Sequence, residues 1–128
     1  MIVYKLGELA NAKESIEYVL NLPLTAKASF KLARILKSLI DELNTFEELR
    51  VKLVKKHGKP KENNPNQIQV VPGTAEADLF NEEIKPYFEE EVKIEKDKIL
   101  LNELGTDIRI PSKYMMDLLP IFVEDSLD

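Results

Sequence analysis

The chain contains no cysteine, one histidine and only four glycines. The missing cysteines exclude disulfides, thiolate nucleophiles and thiol-ligated zinc. The single histidine, His57, excludes His-rich metal sites. The glycines are scattered, so no Gly-rich loop is present to cradle phosphate. No serine lies in a Gly-x-Ser-x-Gly elbow. No apolar run approaches the roughly 18 residues that cross a bilayer. The opening MIVYKLGEL is too short and too polar for a signal peptide. These features predict a soluble protein, inside cells or in a virus particle, with no membrane contact and no cofactor.

What is present is 128 residues, enough for one domain with a modest core. Apolar residues make up 44% and charged residues 32%, the balance of an ordinary soluble domain. The net charge of −5 is unevenly spread. Residues 24–57 carry eight Lys/Arg against four Asp/Glu, whereas residues 74–128 carry six against fifteen. The plainest expectation is that the acidic half packs near the basic segment. Nucleic acid is disfavoured as a partner, because an acidic chain repels phosphate at range. A protein partner fits the acidic surface better.

The dominant pattern is one long amphipathic helix over 25–57. Leu32, Leu36, Leu39, Leu43, Phe46 and Leu53 recur at a 4-3-4-3 spacing, with Arg50 interrupting the seam. Such a helix is about 50 Å long, against a radius of gyration of about 14 Å for a compact chain of this size. It therefore needs a partner along its length. Thr25 is placed to cap it, Lys55, Lys56 and His57 suit the negative end of its dipole, and Gly58 and Pro60 end it. A charged residue at a seam position can set register or partner choice. More simply, the stem of Arg50 lies along apolar surface with its head in water.

Around this helix the pattern predicts smaller elements. Residues 1–6 read as a short strand. Asn11, with Glu14 three residues on, is placed to cap a first helix that stops near Asn21, before Pro23. The short Leu22-Pro23-Leu24 link predicts an antiparallel helical hairpin. Residues 58–73 read as a polar loop, with Ile68, Val70 and Val71 as candidates for a short strand. Thr74 is placed to cap a third helix with Leu79, Phe80, Ile84, Tyr87 and Phe88 on its apolar side, kinked or broken at Pro86. Val92, Ile94 and Ile99 suggest an edge strand, and Ile108 with Ile110 a second one. Pro111 opens a last helix over 112–119, bearing Tyr114, Met115, Leu118 and Leu119, and Pro120 ends it. The expected fold is α+β and mainly α: a helical hairpin with one long helix, plus a small C-terminal unit of short strands and a terminal helix. It forms a single domain of three parts: strand and hairpin over 1–57, loop over 58–73, and an acidic α/β half over 74–128.

Few residues suggest chemistry. His57 beside Gly58 reads as a capping cation rather than a catalytic base. Glu89, Glu90 and Glu91, with Glu95 and Asp97, form an acidic run. Paired carboxylates can hold Mg²⁺, and Glu91-Val-Lys93 echoes half of a common nuclease motif. No recognisable Asp context precedes it, so the run reads as a solvated face. The chain is expected to be no enzyme.

The order of elements carries a resemblance. A short strand, a Gly-Glu-Leu turn and a small helix lead into TAKASFKLARILKSLIDELNTFEELRVKLVKKHGK. After the polar loop come ADLFNEEIKPYFEEEVKIE and ILLNELGTDIRIPSKYMMDLLPIFVED. This resembles a family of small uncharacterised proteins encoded by tailed bacteriophages and prophages of Gram-positive bacteria. Its usual form has a Ser-centred, Lys-rich helix start, an Asn/Thr-Phe-Glu-Glu middle, a Lys/Tyr-Gly end, and a late strand pair before a Leu-rich terminal helix. The resemblance spans nearly the whole chain, and residues 63–73 depart from it most. It implies a phage setting, in the virion or in the host cytoplasm during infection.

Two functions follow as expectations. The first is a structural or assembly protein of the phage, with contacts at Leu36, Leu39, Leu43, Phe46, Leu49 and Leu53 on the hairpin and Met115 and Leu119 at the end. Its partners would be phage proteins or further copies of itself. The second is a regulator that binds and inhibits a host protein through an acidic face, Glu89, Glu90, Glu91, Glu95 and Asp97 with Glu124 and Asp125 of the tail. The first helix is long enough to cover the seam from Leu32 to Leu43. The stretch from Phe46 to Leu53 needs other cover, from the C-terminal half or another subunit.

Overall fold

The computed structural model describes residues 1–64 and 66–124. Strand β1 (Ile2–Lys5) opens the chain and a 3₁₀ turn (Leu6–Glu8) leads into α1 (Leu9–Leu20). The long helix α2 (Ala26–His57) follows, then a small hairpin of β2 (Lys59–Pro60) and β3 (Ile68–Gln69). Helix α3 (Ala75–Phe88), β4 (Glu91–Ile94), β5 (Ile99–Leu100), a second 3₁₀ turn (Leu101–Leu104), α4 (Ser112–Leu118) and β6 (Phe122–Val123) complete the described chain. The fold is α+β and mainly α, with the expected hairpin of α1 and α2. No helix among the described residues is long and apolar enough to cross a membrane.

Among the described residues there are three two-stranded ladders, of which β1–β4 ties the two halves together. β1 and β4 pair antiparallel, with Ile2 opposite Ile94 and Tyr4 opposite Val92. All four of these side chains are buried on one face, as period-two alternation requires. β2 and β3 pair antiparallel, and β5 pairs parallel with β6. The core lies between the β1–β4 ladder, α1, the first half of α2, α4 and the β5–β6 pair, and includes Leu9, Ile16, Leu32, Leu39, Ile99 and Leu118. Each such aliphatic side chain contributes about 1.5–3 kcal/mol when fully buried.

The long helix starts and stops where its sequence signals lie. The Thr25 hydroxyl accepts from the Ala28 N–H at 3.1 Å and donates to the Glu103 carbonyl at 2.7 Å. The Thr25 N–H donates to the Leu104 carbonyl at 2.9 Å, and Lys31 pairs with the Glu103 carboxylate at 2.8 Å. The basic start of α2 is thus held by the acidic half, the plain arrangement of the two charge blocks. Lys31 also holds the Glu103 carboxyl below its usual range. Gly58 closes the helix for a reason of space. Its backbone is extended, at φ −87° and ψ 170°, but a Cβ there would stand 2.6 Å from Ile68 Cγ2 and 2.8 Å from the Gln69 carbonyl oxygen. The returning strand β3 needs that room.

Several expectations are corrected. Asn11 is not a cap: α1 begins at Leu9, because the 3₁₀ turn winds straight into it, with the Glu8 carboxylate accepting from the Lys5 N–H at 2.8 Å. The buried stripe at the start of α2 is Ala28, Leu32, Ile35 and Leu39. Leu36 and Leu43 flank it half-buried, so the stripe is rotated toward Ile35 relative to the expected seam. Arg50 is no seam residue. It is exposed and paired bidentately with Glu47 one turn earlier, at 2.8 Å through Nε. Helix α3 passes Pro86, which cannot donate an i→i−4 bond, and ends two residues later. Its buried side chains are Ala77 and Ile84, whereas Leu79, Tyr87 and Phe88 are exposed. Ile68 lies in a strand but Val70 and Val71 do not. Ile99 belongs to β5 rather than to β4, and Ile108 and Ile110 pack on the core from irregular backbone.

Candidate functional site

The second half of α2 is covered by α3. The rings of Phe46 and Phe88 lie 5.5 Å apart at 57°. One turn from the helix end, Glu83 of α3 receives Lys56 Nζ at 2.6 Å and stands 3.1 Å from His57 Nε2. Lys56 first, and His57 after it, hold the Glu83 carboxyl below its usual range. His57, read from the sequence as a capping cation, meets Glu83 of α3. Phe88 also rests on the turn after β1, where a Cβ on Gly7 would come within 3.2 Å of the Phe88 carbonyl oxygen. The Leu6 N–H extends the β1–β4 ladder by donating to the Glu90 carbonyl at 2.9 Å. The end of α3, the β1–β4 ladder and α2 thus converge without meeting fully.

A groove of about 290 Å³ remains between them. Phe46 and Leu49 of α2 and Tyr87 of α3 give it apolar walls, and the carboxylates of Glu42, Glu90 and Glu91 stand around it. None of these three carboxylates has an ion-pair partner within 4.0 Å among the described residues. Among the described residues, Lys93 is the one cation lining the groove. The carboxylates are exposed, so the groove offers apolar surface rimmed by negative charge.

The structure brings together two groups of candidates that sequence reasoning kept apart. Phe46 and Leu49 of the hairpin set meet Glu90 and Glu91 of the acidic run in this one groove. The other candidates lie elsewhere. Leu39 and Leu53 are interior, and Leu36 and Leu43 are half-buried beside them. Met115 packs against the core, whereas Leu119 is 62% exposed. Glu89 turns to Lys5, 2.9 Å away, and raises the affinity of that amine for its proton. Glu95 and Asp97 border a separate depression with Lys31 and Arg34. Glu124 is exposed next to β6, and Asp125 lies outside the described residues. Glu42 and Tyr87 are the groove residues whose role sequence reasoning missed. A carboxylate one turn before the Thr-Phe-Glu-Glu segment was the available signal.

A second polar cluster is structural. Ser15, buried, donates to Asp117 Oδ2 at 2.8 Å, and the Tyr4 hydroxyl donates to the Asp117 carbonyl at 2.6 Å. These bonds fasten α4 to α1 and β1. Burial, with the nearby Asp117 charge, pushes the Tyr4 phenol well above its ordinary range. No group of three or more His, Asp or Glu side chains among the described residues is arranged to hold a metal ion. Comparison with protein-family models, curated proteins and solved structures gave no match.

Proposed function

We propose that this chain works by binding another protein, as a non-enzymatic structural or assembly component of a tailed-phage particle. The groove between α2, α3 and the β1–β4 ladder is its docking site. The observation that carries the docking reading is the set of three unpaired carboxylates, Glu42, Glu90 and Glu91, around the apolar walls of Phe46, Leu49 and Tyr87. The fitting partner is a segment with an exposed apolar side chain between Lys or Arg residues. The phage setting is supported by the resemblance in element order along the chain.

The test has two parts. The chain should be detected by mass spectrometry in purified particles of the phage that encodes it. It should also capture one particle protein in a complex that weakens between about 0.05 M and about 0.5 M salt, as exposed charge pairs do. Reversing Glu90 and Glu91 to Lys should abolish capture. Absence from particles, together with salt-sensitive capture of a host protein, would replace this reading with the inhibitory one at the same carboxylates.

A further inference from the structure

The register of the β1–β4 ladder leaves one edge of β4 open at the groove. In an antiparallel pair, opposite residues alternately exchange both backbone hydrogen bonds and none. The bond from the Leu6 N–H to the Glu90 carbonyl fixes the phase. Val92 with Tyr4, and Ile94 with Ile2, are therefore the bonded pairs, and Glu91 and Lys93 turn their N–H and C=O groups away from β1. Among the described residues β4 has no second strand neighbour, and no other hydrogen bond takes up these groups. Glu91 and Lys93 both line the groove, together with Glu42, Phe46 and Leu49 of α2. An unpaired strand edge is a template for a further strand.

We propose that the partner docks as an extended segment, added to β4 as a third strand of the β1–β4 sheet. This rests on the docking reading above and names the form in which the partner binds. Main-chain bonds to Glu91 and Lys93 supply affinity, and side chains at alternate positions select the segment. Val92 is buried whereas Glu91 and Lys93 are exposed, so residues of the added strand alternate in the same way. Those on the Val92 side meet the walls of Phe46, Leu49 and Tyr87 and are apolar. A Lys or Arg fits opposite Glu91, since opposite charges on neighbouring strands attract. Further Lys or Arg residues at the ends of the segment suit Glu42 and Glu90. A helical ligand would leave the edge of β4 unsatisfied, because its own backbone bonds internally.

The test is NMR titration of the full-length chain with the peptide acetyl-Lys-Thr-Leu-Lys-Leu-Thr-Lys-amide. The peptide should bind with a Kd below about 1 mM, the weak end of specific association. In the free chain the Glu91 and Lys93 amides should exchange with solvent faster than those of Val92 and Ile94, and binding should slow them about tenfold or more. Lys93→Pro removes one outward N–H and takes no bond from the β1–β4 ladder. It should bind about tenfold more weakly than Lys93→Ala, which keeps that N–H. N-methylation of the peptide leaves the chain itself unaltered. It should abolish binding at the Leu residues, or at the central Lys and the Thr residues, but not at both, since alternate N–H groups face β4. No binding, equal affinity of the two Lys93 variants, N-methyl effects without alternation, or Glu91 and Lys93 amides already protected in the free chain would each overturn the inference. Peptide binding that lacks these strand signatures, yet is abolished by Glu90→Lys with Glu91→Lys, would overturn this inference alone and leave the docking reading standing.

Discussion

Phe46 of the long helix and Phe88 at the end of α3 face each other across 5.5 Å, tilted by 57°. This pair answers the question raised by a helix too long for its hairpin partner. Cover for the second half of α2 comes from within the chain, and Phe46 of the pair also lines the acidic groove. Offset or tilted aromatic pairs contribute about 0.5–1.5 kcal/mol beyond the area they bury. Phe46→Ala should therefore destabilise the chain by about 1.5–3 kcal/mol, less than for a fully buried ring. A double-mutant cycle with Phe88→Ala in urea unfolding should show coupling of about 0.5–1.5 kcal/mol. Additivity of the two substitutions would contradict the contact.

Arg50 should behave differently. Its pair with Glu47 is on the surface, within one helix, and such pairs contribute about 0.3–0.5 kcal/mol. Arg50→Ala should change stability by no more than about 0.5 kcal/mol in the same unfolding experiment. A loss above about 2 kcal/mol would return Arg50 to the interior seam that the heptad spacing suggested.

Gly58 is a question of room. A methyl group there must displace β3, since Ile68 Cγ2 and the Gln69 carbonyl oxygen both lie inside contact distance. Gly58→Ala should cost about 1–3 kcal/mol and release the β2–β3 hairpin. Hydrogen exchange should rise over residues 59–69 and stay unchanged in α1 and α4.

Tyr4 sets an alkaline limit. Its phenol titrates higher in the folded chain than in the unfolded one, so its contribution is fully present below the unfolded value of about 10 and is lost as pH rises beyond it. Tyr4→Phe should destabilise the chain by about 1–2 kcal/mol at pH 7 by leaving the Asp117 carbonyl without its donor. Wild type should lose stability more steeply than Tyr4→Phe above about pH 10, which thermal melts across pH 8–11.5 would reveal. Parallel curves would contradict the buried, protonated phenol.

Local signals were legible in the sequence wherever a residue acts on its own backbone. Thr25 and Thr74 cap as their neighbours dictate, accepting from the N–H groups of Ala28 and Ala77. Leu32 and Leu39 are core, and Pro111 precedes the last helix. What was not legible depends on distant partners. Ile35 replaces Leu36 in the stripe because the second 3₁₀ turn and β4 approach α2 from that side, and no spacing within the helix records this. Ile108 and Ile110 alternate like a strand, yet no strand among the described residues pairs with them and they pack as irregular chain. The acidic run looked like one face. Pairing of β4 with β1 divides it, sending Glu89 to Lys5 and leaving Glu90 and Glu91 at the groove.

The central claim is that docking takes place in the groove between α2 and α3. Its most direct test is photo-crosslinking in infected cells, with a benzophenone side chain placed at exposed Thr45 on the groove or at exposed Met116 on α4. The expected result is a single covalent adduct from Thr45, to a second copy or to one particle protein, and none from Met116. An adduct from Met116 with none from Thr45 would contradict the account.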